Sequence, residues 1–469
     1  QGWFAQAGES KNGIQLTVTA SQEQAWTGKY SLKLDPGVVQ NGSWWAAAGT
    51  DSPAPAYTPK GQLTAHVFTP IGSSTAWAQI YLLDQNWQWL HSPEVTLTPG
   101  TWTDITWDLS ALTPSLPIQR LGIQFGGEST AGETALVYLD AVSWTRTPSD
   151  HPLTTGAFLS GAGSDALVSE LTWLDQMGNK HAGIINLFAN WDDPYPAADI
   201  QSIIQHRSTP MITWMPNVPL TEITIGKYDA VIDTWAQQIQ SSQAEIFLRF
   251  GHEMNGCNPG TPPQCWYPWA GNPAVFKEAW QYVHRRMAAQ DTDNIRWVWT
   301  PMATQGDLYG DFPDYYPGDD YVDLVGASGF NWAGKADWDP HPPCFTFDQI
   351  FNPILSRMAD LYDKPQIVAE FASACDNGCD KSLWIAEAYY QALFYPRLTA
   401  LVWFNIAKQE GSTWVDWRLG CGDCSSPVCT DCLDAYQGAL ADPHYSEAAP
   451  GFLPQRLFLS FTQSGFPPN

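Results

Sequence analysis

Nine consecutive residues, Leu248-Arg249-Phe250-Gly251-His252-Glu253-Met254-Asn255-Gly256, gather a guanidinium, an imidazole, a carboxyl and an amide within one short stretch. Trp266-Tyr267-Pro268-Trp269 follows closely. Ile246 to Phe250 reads as a short buried strand, so Glu253 is delivered just past a strand end. That mixture suits sugar chemistry. Aromatic faces pack on the apolar C–H faces of pyranose rings, while Asn, His and carboxylates take the hydroxyls. Asn255, Trp266, Tyr267 and Trp269 are the candidate sugar contacts. His252 either orients a carboxyl or a sugar hydroxyl, or is satisfied by backbone. The bland alternative is a strand end with a surface Glu, and four suitable side chains around one carboxyl argue against it.

RFGHEMNG with WYPWAG resembles the strand-four signature of glycoside hydrolase family 26, retaining endo-glycanases on a (β/α)8 barrel. The resemblance covers residues 153–418 and makes Glu253 the acid/base. It puts the nucleophile at the end of strand seven, where Ile367-Val368-Ala369-Glu370-Phe371 points to Glu370. Gly326-Ala327-Ser328-Gly329-Phe330-Asn331-Trp332 matches strand six, and Leu401-Val402-Trp403-Phe404-Asn405, running on to Asp416-Trp417-Arg418, matches strand eight. Trp403 is then the candidate platform beneath the sugar at the scissile site, and Trp332 a candidate lining of the adjoining cleft. Core packing is the alternative for each. Arg249 is expected to point inward and hydrogen-bond Glu370, or else to pair with a barrel Asp. Phe330 departs from the family, which often carries a Tyr there that bonds the nucleophile. A neighbouring donor, a Tyr from elsewhere or weakened catalysis must follow. No cofactor is implied for catalysis.

Glycoside hydrolysis needs a proton for the leaving oxygen and stabilisation of an oxocarbenium-like centre. Two carboxyls about 5 Å apart do both, through a covalent intermediate and with retention. An ionised Glu370 raises the pKa of Glu253 and keeps it protonated for the first step; loss of that charge on glycosylation frees Glu253 to act as base.

Residues 253 and 370 meet only if the chain closes a barrel. Apolar strands are expected at 156–159, 182–188, 210–214, 245–250, 294–299, 322–327, 365–369 and 399–404, with helical periodicity at 165–177, 228–241, 274–289, 347–362 and 383–394. Eight strands separated mostly by helices make an α/β (TIM) barrel over 153–469, with both glutamates at its C-terminal rim. Residues 1–145 alternate apolar and polar in short runs such as Ala78-Gln79-Ile80-Tyr81-Leu82 and read as an antiparallel β-sandwich. Val137-Tyr138-Leu139-Asp140-Ala141-Val142 and Gly28-Lys29-Tyr30-Ser31-Leu32 resemble jelly-roll carbohydrate-binding modules, which often carry a structural calcium, here placed on Asp140. Residues 146–152 are a polar linker, and 420–469 a Cys-rich and Pro-rich extension expected to wrap the barrel.

The 469 residues carry 22 Lys+Arg against 48 Asp+Glu, a net charge of -26. That excludes nucleic acid and anionic membrane surfaces as partners, which need basic patches. A neutral plant cell-wall-type polysaccharide suffers no such repulsion, and a monomer is expected. No apolar run spans a membrane, and Gln1 reads as a mature-looking start, any export signal having been removed or never present. The nine cysteines fit a secreted, disulfide-bonded chain. Cys257 and Cys265 bracket a Pro/Gly loop, Cys375 and Cys379 are a second candidate pair, and Cys344 is the candidate free thiol. Cys421-x-x-Cys424 with Cys429-x-x-Cys432 leaves zinc and loop disulfides open, the short spacing favouring disulfides. Of 25 tryptophans, about half are expected to be structural; Trp44-Trp45 and Trp87-Gln88-Trp89 are candidates for exposed aromatics. The leading function is a secreted endo-β-1,4-mannanase acting on mannan or glucomannan. A mixed-linkage β-1,3-1,4-glucanase or β-1,3-xylanase is the runner-up, because the Trp-Tyr-Pro-Trp loop departs from the Phe-Trp-Trp-Gly form of many mannanases. A non-catalytic polysaccharide-binding protein is the alternative from another class.

Overall fold

A computed structural model describes residues 3–447 except 12–13, 27–28, 52–60, 110–111, 113–117, 131, 146–147, 161–163, 259–263, 304–310, 336–343, 375–378 and 421–431. The N-terminal part forms two antiparallel sheets. One orders Phe4–Lys11, Gly42–Asp51, Arg120–Ser129, Trp77–Leu83 and Trp89–His91; the other orders Thr17–Ser21, Ser31–Val38, Thr134–Thr145, Gln62–Phe68 and Trp102–Asp108. Their inward residues, among them Leu34, Trp44, Val67, Ile80, Ile105, Phe125 and Val137, share one core. Trp44 is therefore core rather than an exposed aromatic. Gly42–Asp51 and Arg120–Ser129 escape a search for alternating apolar residues because they are rich in Gly and Ala. The Tyr81 ring lies across them, and a Cβ on Gly122 would come within 2.2 Å of it. Small residues here admit an aromatic ring between strands, at the expense of a readable β pattern.

The remainder is a closed parallel barrel of β1 (Leu153–Phe158), β2 (Ile184–Asn190), β3 (Thr209–Met215), β4 (Ile246–Phe250), β5 (Ile295–Trp299), β6 (Leu324–Asn331), β7 (Gln366–Ser373) and β8 (Leu398–Phe404). Each strand pairs with the next, and Gly156↔Ile184 with Thr154↔Ala400 closes the ring. Around it run α1 (Ser164–Gly178), α2 (Ala197–Gln205), α3 (Leu220–Thr224), α4 (Asp229–Ser242), α5 (Pro273–Ala288), α6 (Phe347–Leu361), α7 (Lys381–Ala392) and α8 (Cys432–Leu440). The helices α2, α3 and α8 are too short to show a convincing period in sequence.

Side-chain alternation layers the interior. Ile184, Met211, Phe247, Val298, Leu324, Ile367, Ala369, Ala400 and Val402 form an apolar plug inside the barrel. Two residues beyond the plug on β2, β3 and β4, and just past β5, stand Asn186, Thr213, Arg249 and Thr300, all buried. The plug closes the lower barrel, and the polar layer above it faces the rim where barrel chemistry sits.

Much of the aromatic content is structural. Trp191, Trp214 and Trp235 stack in series at 4.2 and 4.3 Å. Cys257 pairs with Cys265 as expected, whereas Cys344 is no free thiol: it bonds Cys379 across a separation of 35 residues. Cys375 lies outside the described residues, so only its proposed partner is accounted for. Cys432 is disulfide-bonded, which supports disulfides over zinc in that segment; Cys421, Cys424 and Cys429 lie outside the described residues. The helix α8 packs on α7 and α1, and Tyr445 pairs with Leu153 at the start of β1.

Candidate active site

Arg249 is fully buried on β4, and each part of its guanidinium meets a partner from a different strand or its end. Nε donates to Thr300 Oγ1 at 2.6 Å, Nη1 to Glu370 Oε2 at 2.6 Å and to Thr213 Oγ1 at 3.3 Å, and Nη2 to Ser328. Thr213 in turn donates to Asn186 Oδ1 at 2.9 Å. A buried guanidinium is tolerable only when its charge and hydrogens are matched in this way. Its charge partner is Glu370, not a barrel Asp.

Glu370 reaches that layer through a β-bulge. Along β7, Ile367 and Ala369 face the plug, while Val368 and Phe371 pack toward the helices. Strict alternation would send Glu370 outward with Val368. Instead the register passes from Ala327↔Val368 to Ser328↔Glu370, and the extra residue turns Glu370 inward beside Ser328. The Ser328 hydroxyl bonds Glu370 Oε2 at 3.2 Å.

Glu253 stands beyond β4 in left-handed backbone, with φ 54°, two residues after Gly251 at φ 53°. A non-glycine residue held there carries strain of order 1–3 kcal/mol. Its N–H donates to the Thr300 carbonyl at 2.9 Å, which anchors the turn. Burial, and then the negative charge of Glu370, push the Glu253 carboxyl up to about 8. Arg249, Lys408 and the Ser328 hydroxyl oppose that shift. The electrostatics therefore separate two carboxyls that share one pocket, one ion-paired and one holding its proton at neutral pH.

His252 is buried, and burial followed by the charges of Arg249 and Lys408 hold its imidazole well below the usual range. Its Nε2 lies 3.2 Å from the Tyr267 hydroxyl. Tyr267 is itself raised by burial and then by the charges of Glu253 and Glu370, so it too faces the carboxyl pair.

The other sequence candidates divide. Trp266 is 45% exposed and Trp332 half-buried, so both can meet a ligand. Trp269 is only 1% exposed; it donates from Nε1 to the His252 carbonyl at 2.7 Å and stacks under Tyr267 at 4.5 Å, so it supports the loop instead of meeting sugar. Asn255 is closed on the backbone of Met302 through both its oxygen (2.8 Å) and its nitrogen (3.1 Å), which ties the Glu253 turn to the segment after β5. Trp403 is no platform: it is fully buried against Phe371 and Trp384. With Ala400 and Val402 facing the plug, period two turns Trp403 toward α7 and gives Phe404 to the rim. Phe404 stacks on Phe158 at 5.3 Å, with Lys408 5.1 Å above its ring. Phe330 packs against Phe404 and Trp417, while Arg249 and Ser328 supply the donors to Glu370 that a Tyr there would have provided.

Ser328, Phe404 and Lys408 were not among the sequence candidates. Ser328 had a signal in its inward position on strand six, and Phe404 in simple alternation. Lys408 had none, since it rides on a hairpin after β8 (Ala407–Glu410 with Thr413–Asp416) whose placement is tertiary. The two carboxylate oxygens of Asp140, the residue expected at a calcium site, accept the amides of Trp26 (2.8 Å) and Ala141 (2.7 Å).

Residues 169–351 match the family model described as "Glycosyl hydrolase family 26", and residues 1–141 match "Mannanase, galactose-binding domain-like". Endoglucanase H of Acetivibrio thermocellus is 30% identical over 61% of this chain and 30% of its own length. The β-1,3-xylanase TXYA of a Vibrio species is 27% identical over 34% of each protein, so this chain spans about a third of the curated relatives it matches. The catalytic domain of a Bacillus family 26 endo-β-1,4-mannanase aligns at 15% identity and a TM-score of 0.48, covering 65% of this chain and 90% of that one. Over part of its barrel the chain thus resembles glycosyl hydrolase family 26, behind a domain similar to the galactose-binding-like domain of mannanases.

Proposed function

We propose that this chain is a secreted, retaining endo-β-glycanase in which Glu370 attacks the anomeric carbon and Glu253 serves first as acid and then as base. The observation that carries the reading is the contrast between the two carboxyls: Glu370 is held by Arg249 and Ser328, while Glu253 is desolvated and pushed up beside it. An ion-paired carboxylate is a nucleophile, and a buried carboxyl keeping its proton at neutral pH is a general acid. Once Glu370 is esterified by the sugar its charge is gone, and Glu253 can release its proton and activate water. Trp266, Tyr267 and Trp332 offer the surfaces for flanking sugars. Calcium has no part in this scheme.

β-1,4-Mannan or glucomannan is the substrate favoured by the galactose-binding-like domain, whose model description names mannanases. A mixed-linkage β-glucan is the second reading, favoured by the Trp-Tyr-Pro-Trp loop and by 30% identity to an endoglucanase. Reducing-sugar release from mannan, lichenan and β-1,3-xylan, measured side by side on the full chain, separates them. Turnover of none of the three, with all three still bound, would replace the hydrolase by a binding protein.

A further inference from the structure

The carboxyl pair occupies the C-terminal rim, and the opposite end of the barrel holds a second cluster. Asp175 lies in the last turn of α1, His181 in the loop entering β2, and His206 at the end of α2, ahead of β3. Asp175 Oδ1 accepts the Ala182 amide at 3.0 Å. Its Oδ2 faces both imidazoles, 3.1 Å from His181 Nδ1 and 3.0 Å from His206 Nε2. The three potential ligand atoms lie within 4.8 Å of one another, on side chains that are only partly buried.

Counting hydrogens exposes a conflict. Ser208 Oγ is 2.6 Å from the Ala182 carbonyl, which can only accept, so the single hydroxyl hydrogen points there. Ser208 must then accept from His206 Nδ1 at 2.9 Å, which puts the hydrogen of a neutral imidazole on Nδ1. Nε2 is left presenting a lone pair to a carboxylate oxygen 3.0 Å away. Two acceptors at that distance repel unless the ring is an imidazolium or a cation lies between them.

We propose that Asp175 Oδ2, His181 Nδ1 and His206 Nε2 bind a divalent transition-metal ion such as Zn2+, with water completing its shell. Two imidazoles and a carboxylate are donors for this class and not for calcium or magnesium. Bonds near 2.1 Å around a tetrahedral ion set neighbouring donors about 3.4 Å apart, a few tenths of an ångström beyond the two spacings from Asp175 Oδ2 to the imidazoles. The Ser208 hydroxyl supplies the outer hydrogen bond that orients a metal-bound imidazole. The ion would join α1, the entry to β2 and the entry to β3. Lys180, between two of the ligands, donates to the carbonyls of Leu440 (2.5 Å) and Tyr445 (2.7 Å), so the same region holds the C-terminal segment.

The test uses the full chain, stripped with EDTA, loaded with ZnCl2 and desalted, with metal content read by mass spectrometry and unfolding followed with and without chelator. Stoichiometric zinc and a lower Tm on chelation are expected. His181→Gln and His206→Gln should each weaken zinc binding at least ~10-fold. Glycan hydrolysis at low temperature should not change, because the cluster lies at the other end of the barrel. Absence of retained zinc, or retention untouched by both substitutions, overturns the proposal. Should either variant fail to fold, the Co2+ spectrum of the unaltered chain decides. Tetrahedral bands without thiolate charge transfer support the site, and thiolate bands or no bands refute it.

Discussion

Glu253 is the residue on which burial and a neighbouring charge act together, so its titration should be visible in catalysis. A raised pKa means that the acid form persists through neutral pH and is lost as pH rises through about 8. The alkaline limb of kcat/KM should fall there. Lys408 opposes that shift, so Lys408→Met should move the limb to higher pH, as a pH–rate profile can check. Glu253→Gln should cost about 10²–10⁴-fold on polysaccharide and far less on aryl glycosides whose leaving groups need no proton. Glu370→Ala should lose several orders of magnitude and be partly rescued by azide, giving a glycosyl azide of inverted configuration. Near-normal turnover in either variant would end the assignment. Arg249→Ala leaves Glu370 buried without its charge partner and should cost about 3–5 kcal/mol in denaturant unfolding.

Elements decide where those residues stand. The bulge on β7 is the clearest case: one inserted position turns Glu370 from the helix side to the interior and pairs it with Ser328. The turn after β4 works differently, holding Glu253 in left-handed backbone between Gly251 and the amide clamp of Asn255. The Cys257–Cys265 disulfide closes a two-stranded ribbon next to that turn, and Trp266 N–H donates to the Gly256 carbonyl at 3.0 Å. Closing so short a loop adds about 2–3 kcal/mol at most through the unfolded chain. Its effect on the site should be larger. Replacing both cysteines by Ser should raise KM at temperatures where circular dichroism still reports a folded barrel, and unchanged kinetics would show the loop to be self-supporting.

Across the whole molecule, three large aromatics of the sandwich are exposed among the described residues, Trp26, Tyr30 and Trp87. Trp87 is 57% exposed beside Arg120, while Trp26, 45% exposed, stacks on His66 at 4.5 Å. Trp87 and Trp89 do not share an extended face: Trp87 has a φ of 60°, and Trp89 covers Tyr81 at 4.0 Å. In a Glu370→Ala background, Trp87→Ala should reduce retardation on polysaccharide affinity gels; loss only with Trp26→Ala would move the platform to Trp26. The local pattern of residues made legible the two fold classes, eight barrel strands and the residues around Glu253, because alternation, strand length and a dense motif are local properties. It also pointed to Glu370 and to the Cys257–Cys265 bridge. It could not assign the faces of Trp403 and Phe404 before the plug set the phase of β8, nor pair Cys344 with Cys379 across 35 residues. The inward turn of Glu370, the reach of Lys408 from its hairpin and the meeting of Asp175 with His206 were decided by tertiary structure alone. Each depends on a register or a closure between segments distant in the chain, and no local pattern of residue types encodes that.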